Sequence, residues 1–291
     1  MPDFRSVLFA PGNSARMVER APQAGADAVV LDLEDAVPVA AKEATRATLA
    51  RLLATPSRTP PRFVRINALD SPWGRQDAAD VVGAGVFGLV LPKVEAAPDI
   101  EALDGILTGA EAAARMPLGQ IEILPIIETA RGVLRAAEIA AAGPRIRRIA
   151  FGSYDFARDM DIPLTASGEE LLVPRATVAL AARAARVQAL DTVFAAIDDQ
   201  AGLLAEASRA RGLGFSGKFC IHPSQIGTVH RVFSPTAEEI AKATRVVAAF
   251  RTAVADGRAS VALDGKMVDY PIAEQHQRLL ERAASLGLTV P

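Results

Sequence analysis

Five blocks of the 291-residue chain place charged side chains directly after apolar runs. They are Asp32-Leu33-Glu34-Asp35, Arg65-Ile66-Asn67, Pro92-Lys93-Val94-Glu95, Glu128-Thr129 and Gly152-Ser153-Tyr154-Asp155. A seventh run contains Asp191 and is followed by Asp198 and Asp199; an eighth holds Lys218 and ends at His222. Any one of these carboxylates reads as a helix N-cap or a surface charge. Their recurrence suggests a shared mouth, where buried charges must be paired or bind a metal. Glu128 and Asp155 end consecutive runs with no nearby Cys or His pair. Such a pair makes a hard oxygen site, suited to Mg²⁺ (with Mn²⁺ as the alternative) rather than zinc. The plain alternative is that Glu128 caps the helix of Arg131 and Asp155 caps its own. Arg65 presents a planar fork that matches a carboxylate or enolate. Its plain alternative is an ion pair with Glu34, Asp35 or Glu95. Lys218 and His222 lack the partners of a nucleophilic triad. Lys93 and Lys218 are the strand-end lysines, and neither is flanked convincingly for a Schiff base. Cys220, between Phe219 and Ile221, reads as buried and inert.

The elements that must position these residues alternate in kind. Apolar runs fall at residues 7–10, 28–33, 63–66, 89–91, 123–127, 148–151, 189–197 and 215–221, with helical stretches between them. Continuous apolar strands are buried on both faces, which marks a parallel sheet. Eight of them alternating with helices over about 250 residues predict an α/β fold, a (β/α)8 TIM barrel with chemistry at the C-terminal strand ends. A doubly wound sheet would carry a Gly-rich phosphate loop after its first strand. The turn here is Ala10-Pro11-Gly12-Asn13, and Asn13 reads as the N-cap of a helix over 14–23. The turns after the seventh and eighth runs lack a Gly-rich phosphate cradle, which argues against a phosphosugar enzyme. Residues 1–255 are assigned to the barrel. Residues 256–291 are assigned to a C-terminal lid extension, with a loop at Asp264-Gly265-Lys266 and a helix over 272–286.

Composition narrows the partners. The 32 Lys and Arg against 34 Asp and Glu exclude a general electrostatic surface for nucleic acid or membrane. One cysteine excludes an internal disulfide or a Cys-rich zinc site. No stretch approaches the ~18 apolar residues of a membrane span, and residues 1–5 do not open a signal peptide. The expected location is cytoplasmic.

Six motifs in order then resemble one family: Arg5 to Gly12, Leu31 to Pro38, Val64 to Asn67, Leu91 to Glu95, Ile127 to Gly132 and Gly217 to Pro223. They are similar to the citrate lyase beta-subunit-like and malyl-CoA lyase group of the HpcH/HpaI aldolase/citrate lyase family. The resemblance implies an Mg²⁺-dependent carbon–carbon lyase on a TIM barrel, assembled as a homotrimer or hexamer. It would cleave a 3-hydroxyacyl-CoA of malyl-CoA or citramalyl-CoA type into acetyl-CoA and a 2-oxo acid. It implies metal ligation by Glu128 and Asp155, an active-site Arg65, and Glu34 and Asp35 orienting metal-bound water and the arginine. It further implies that Asp269, in Lys266-Met267-Val268-Asp269-Tyr270-Pro271, reaches a neighbouring subunit's site as acid/base. Arg16 is a candidate contact for a CoA phosphate, against the plainer reading of a solvated surface residue. Tyr154 departs from the acidic or small residue usual before the second metal ligand. Two other activities fit the same resemblance: a malyl-CoA thioesterase, and a citrate lyase beta subunit served by an acyl-carrier protein. The lid motif favours free CoA esters over the carrier.

Overall fold

The computed structural model describes residues 3–56 and 60–288. Eight parallel strands close a barrel in sequence order. They are β1 (Ser6–Pro11), β2 (Ala28–Asp32), β3 (Arg62–Arg65), β4 (Gly88–Leu91), β5 (Glu122–Ile127), β6 (Arg148–Phe151), β7 (Gln188–Asp191) and β8 (Gly217–Cys220). The intervening helices are α1 (Ala15–Arg20), α2 (Lys42–Leu53), α3 (Gly74–Asp80), α4 (Ala97–Ala113), α5 (Ala130–Leu134), α6 (Ala136–Ala140), α7 (Ser153–Asp159), α8 (Leu172–Ala185), α9 (Gln200–Leu213) and α10 (Ile226–Phe233). The expected TIM barrel is therefore the observed fold. Every residue of β2, β4, β5, β6, β7 and β8 is buried, as a sheet covered on both faces requires.

Successive side chains of a strand point to opposite faces. One set fills the barrel: Val7, Val30, Phe63, Val90, Leu124, Ile126, Ala150, Leu190 and Phe219 pack as a single cluster with Phe4 and Ala28. Two residues further along a strand, a side chain returns to the interior, now at the mouth. For seven strands that position is Phe9, Asp32, Arg65, Glu128, Gly152, Thr192 and Ile221. The register completes the alignment by setting Pro11 beside Asp32, Asp32 beside Arg65 and Ile127 beside Phe151.

Three local expectations change. Ser14, in extended backbone, caps α1 by accepting from Met17 N, in place of Asn13. The helix expected over 131–141 breaks at Arg135, whose φ of −110° and ψ of 13° leave the helical region. The loop at Asp264-Gly265 is a tight hairpin turn joining β9 (Val261–Leu263) to β10 (Lys266–Val268). Asp264 and Gly265 have φ of 50° and 73°, and two consecutive positive values match the twist of an antiparallel pair.

The contacts divide the chain into two compact units, Phe4–His230 and a second that takes in Arg231 onward. The first is the barrel. In the second, α11 (Ala237–Ala255) and α12 (Tyr270–Ser285) pack together with the hairpin. Val246, Phe250, Val268 and Ala273 form its core. A reciprocal cap between Thr236 and Glu239 starts α11. Asp269 starts α12, its Oδ1 accepting from Ile272 N at 3.3 Å.

Candidate active site at the barrel mouth

A cavity of about 450 Å³ opens at the C-terminal strand ends. It is lined by those seven mouth residues, together with Asp35, Ser153, Tyr154, Asp155 and Val193. Its two sides differ. Phe9, Val193, Phe219 and Ile221 make one wall apolar; Asp32, Asp35, Arg65, Glu128 and Asp155 make the other charged.

Arg65 is fixed before any ligand arrives. Its Nε donates to Asp32 Oδ1 at 2.7 Å and its Nη2 to Asp32 Oδ2 at 2.6 Å. Asp32 also accepts from the backbone N–H of Glu34 and Ala36. Burial opposes charge on Asp32, but Arg65 and these N–H groups outweigh it and hold the carboxyl below its ordinary range. The guanidinium lies 5.0 Å from the centre of the Phe9 ring. Its Nη1 is 3.1 Å from Glu34 Oε2 and 3.5 Å from Asp35 Oδ2. The ion pair foreseen with Glu34 or Asp35 is thus joined by a stronger bidentate one with Asp32. Glu95 is elsewhere, paired with Arg131 at 3.1 Å.

The β2–α2 loop carrying Glu34 and Asp35 is held from below. Lys42 Nζ is buried and donates to the carbonyls of Leu33 and Glu34 at 2.9 and 2.8 Å and to Asn67 Oδ1 at 2.6 Å. Asn67 in turn donates to Asp77. Glu34 bonds the ammonium of Lys93 through Oε1. Its Oε2 is buried without a hydrogen-bond partner.

Neither Glu128 nor Asp155 is a helix cap. Thr129 caps α5, accepting from Gly132 N at 3.0 Å. Gly152 is the capping position of α7, whose first turn holds Asp155 beside Arg158. Glu128 Oε1 accepts from Lys93 N at 2.9 Å. Burial, and after it the like charges of Asp155 and Glu34, push its carboxyl up to about 8. A Cβ on Gly152 would lie 2.3 Å from Glu128 Oε2, so only glycine leaves that carboxylate its place.

Five carboxylates (Asp32, Glu34, Asp35, Glu128 and Asp155) therefore meet two cations, Arg65 and Lys93, in this cluster. Arg158 pairs with Asp155 from the exposed side. The elevated carboxyl of Glu128, buried beside the like charge of Asp155, indicates room for a further positive charge. Among the described residues no group of three or more His, Cys, Asp or Glu converges as a metal site. Two carboxylates, with water and substrate in the remaining positions, are the usual donor set for Mg²⁺, and Glu128 and Asp155 fit it.

The other sequence candidates lie elsewhere. Arg16 is exposed on α1 and does not line the cavity. Lys218 faces outward from β8 and is fully buried, donating to Asp191 at 2.6 Å and Glu206 at 2.7 Å. His222 caps a short turn through Ser224 N, and Asp199 caps α9 through Gly202 N. Cys220 is buried and its thiol is pushed up to about 12, chiefly by burial. Asp269 belongs to the second compact unit. Tyr154 lines the cavity, its hydroxyl accepting from Ala195 N at 3.2 Å. Sequence reading named Asp32 only within a strand-end block and passed over Thr192, although both lie two residues beyond an interior side chain, a signal present in the strand alternation.

Residues 5–223 match the HpcH/HpaI aldolase/citrate lyase family. The citrate lyase subunit beta of Haemophilus influenzae is 38% identical over 282 residues, covering 97% of each chain. The (3S)-malyl-CoA thioesterase of Cereibacter sphaeroides is 36% identical over 267 residues, covering 91% of this chain and 90% of its own. The crystal structure of protein CitE from Mycobacterium tuberculosis, in complex with magnesium, acetoacetate and coenzyme A, superimposes with a TM-score of 0.80. That chain is 34% identical, and the match covers 96% of this chain and 97% of that one.

Proposed function

The chain belongs to the HpcH/HpaI aldolase/citrate lyase family, and from that premise we propose that it is an Mg²⁺-dependent carbon–carbon lyase for a 3-hydroxyacyl-CoA of malyl-CoA or citramalyl-CoA type. The observation that carries this reading is the charge-deficient pair Glu128 and Asp155 beside a fixed arginine in one cavity. The magnesium bound by the M. tuberculosis relative supports it.

Glu128 and Asp155 would hold the Mg²⁺, with Mn²⁺ as the alternative. When bound, that ion supplies Lewis-acid polarisation and a template for a 2-oxo acid. Arg65, oriented by Asp32, stabilises the thioester oxygen that gains negative charge as the carbon–carbon bond breaks. Because Asp32 fixes the guanidinium beforehand, little reorganisation is needed at that moment. Glu34 and Asp35 hold the outer side of Arg65 and orient water. Asp269 moves the proton between the acyl methyl group and solvent, delivered from a neighbouring subunit of a trimer or hexamer. Arg16 contacts a CoA phosphate outside the cavity.

The malyl-CoA thioesterase relative supports a second reading, in which water attacks the thioester. The citrate lyase relatives support a third, in which the acyl group arrives on a carrier protein. One assay separates them: incubation with malyl-CoA or citramalyl-CoA and Mg²⁺, with products identified. Acetyl-CoA and a 2-oxo acid are expected. Free CoA with malate would overturn the lyase reading in favour of the thioesterase, and turnover only with an acyl carrier would favour the subunit.

A further inference from the structure

Lys93 combines two features that are rarely found in one residue. Its φ is +54°, a left-handed conformation that costs an L-residue about 1 kcal/mol or more and that glycine adopts freely. The conformation has a use, since it aims Lys93 N at Glu128 Oε1, 2.9 Å away. Glycine would serve that purpose without strain. A side chain kept at such a position points to a job for the side chain. The ammonium of Lys93 is bonded to Glu34 Oε1 and lies 3.9 Å from Asp155 Oδ1. It therefore stands between Glu34 and one half of the carboxylate pair.

We propose that Lys93 is a positioning residue that keeps Glu34 from becoming a third carboxylate ligand of the divalent cation. The proposal rests on the assignment of that cation to Glu128 and Asp155. Glu34 has the means to join them. Its Oε1 shares the Lys93 ammonium with Asp155 Oδ1, which places it beside the pair, while its Oε2 faces Arg65 Nη1 at 3.1 Å. Affinity at an oxygen site rises with the number of charged ligands, and Mg²⁺ shared with a substrate needs open positions. By engaging Glu34, Lys93 limits the protein to two carboxylates and leaves those positions to the 2-oxo acid. The ammonium also weakens the attraction of the site for any cation. The lysine thus sets a moderate affinity and an open coordination sphere together.

The test is cation binding, independent of turnover. Mg²⁺ is titrated by calorimetry and Mn²⁺ by the paramagnetic resonance of the free ion, into the wild type and three variants. Lys93→Gly keeps the backbone conformation and removes the ammonium, and circular dichroism checks that the variant is folded. It should bind both ions about tenfold more tightly, as gain of a carboxylate ligand and loss of a nearby positive charge require. Lys93→Arg, which retains the charge, should stay within about threefold of the wild type. Adding Glu34→Gln to Lys93→Gly should remove most of the gain. Equal or weaker binding by Lys93→Gly overturns the proposal, as does full tightening that survives Glu34→Gln. Failure of the wild type to bind either ion overturns the cation assignment itself, and this inference with it.

Discussion

Two clusters of charge in the barrel are built from the same residue types and behave differently. At the mouth, Asp32, Glu34, Asp35, Glu128 and Asp155 surround Arg65 and Lys93. Between β7, β8 and the helices α8 and α9, Asp191 and Glu206 surround Arg175 and Lys218. The outer cluster balances two carboxylates with two cations, and Arg175, Asp191 and Lys218 are fully buried in it. The mouth cluster carries an excess of carboxylates and lines open space. The parity of the strand decides which is which. Glu128 lies two residues beyond the interior Ile126, whereas Asp191 and Lys218 are one residue away from the interior Leu190 and Phe219. One step along a strand turns a ligand-facing group into an internal brace.

Substitutions can break this contrast, beginning with the largest effect. Glu128→Gln should lower turnover about a thousandfold, near 4 kcal/mol of barrier. Its melting temperature should hold or rise, because a buried like charge is removed. Full activity in a folded variant would place the mouth cluster in the same class as the outer one. Lys218→Met should reverse the pattern by costing about 3 kcal/mol of stability, read from urea unfolding, because buried carboxylates lose a partner. Turnover per folded molecule should change by less than about twofold if the outer cluster only braces.

Smaller effects sharpen it. Asp32→Asn should reduce kcat/KM about 10- to 100-fold, mainly through kcat, since it releases Arg65 without removing it. A rise in KM with kcat unchanged would argue that the pair does not orient the arginine. The outer cluster also makes a prediction about acid. Burial opposes the charge of Asp191, but Lys218 and Arg175 outweigh it and lower its carboxyl. A lowered carboxyl contributes stability that is fully present above the ordinary value, about pH 4, and is lost as pH falls through the native one. The stability gap between the wild type and Lys218→Met should therefore be constant near neutrality and narrow in acid. A gap independent of pH would show that the pair contributes by packing alone. Last, Cys220 in the folded protein should resist alkylation at pH 8 and react on unfolding, given a thiol pushed up to about 12.

The barrel was legible because its signal is redundant. Eight apolar runs buried on both faces leave few arrangements, and small errors at their ends do not matter. Glu128, Asp155 and Arg65 were legible as strand-end charges, and the family motifs pointed to the same residues. The sorting of other strand-end groups was less accessible. Lys218 and Glu128 look alike in a list of charges after apolar runs, and only the alternation fixed by Phe219 and Ile126 separates them. Asp32 was visible as a strand-end charge, but its pairing with Arg65 was not, since it interrupts an apolar run and reads as a blemish in the strand. The role of Lys93 has no sequence signal at all. It depends on a backbone angle and on the side chain of Glu34, which is 59 residues away.

Gly152 has a practical consequence for anyone wishing to reshape this pocket. Because a methyl group there would collide with Glu128, the end of β6 is closed to diversification however the neighbouring loops are rebuilt. A mutational library aimed at new substrates would do better at Tyr154 and Val193, which also line the cavity. In such a library the missing side chain at position 152 is the fixed design element, around which every larger residue has to be chosen.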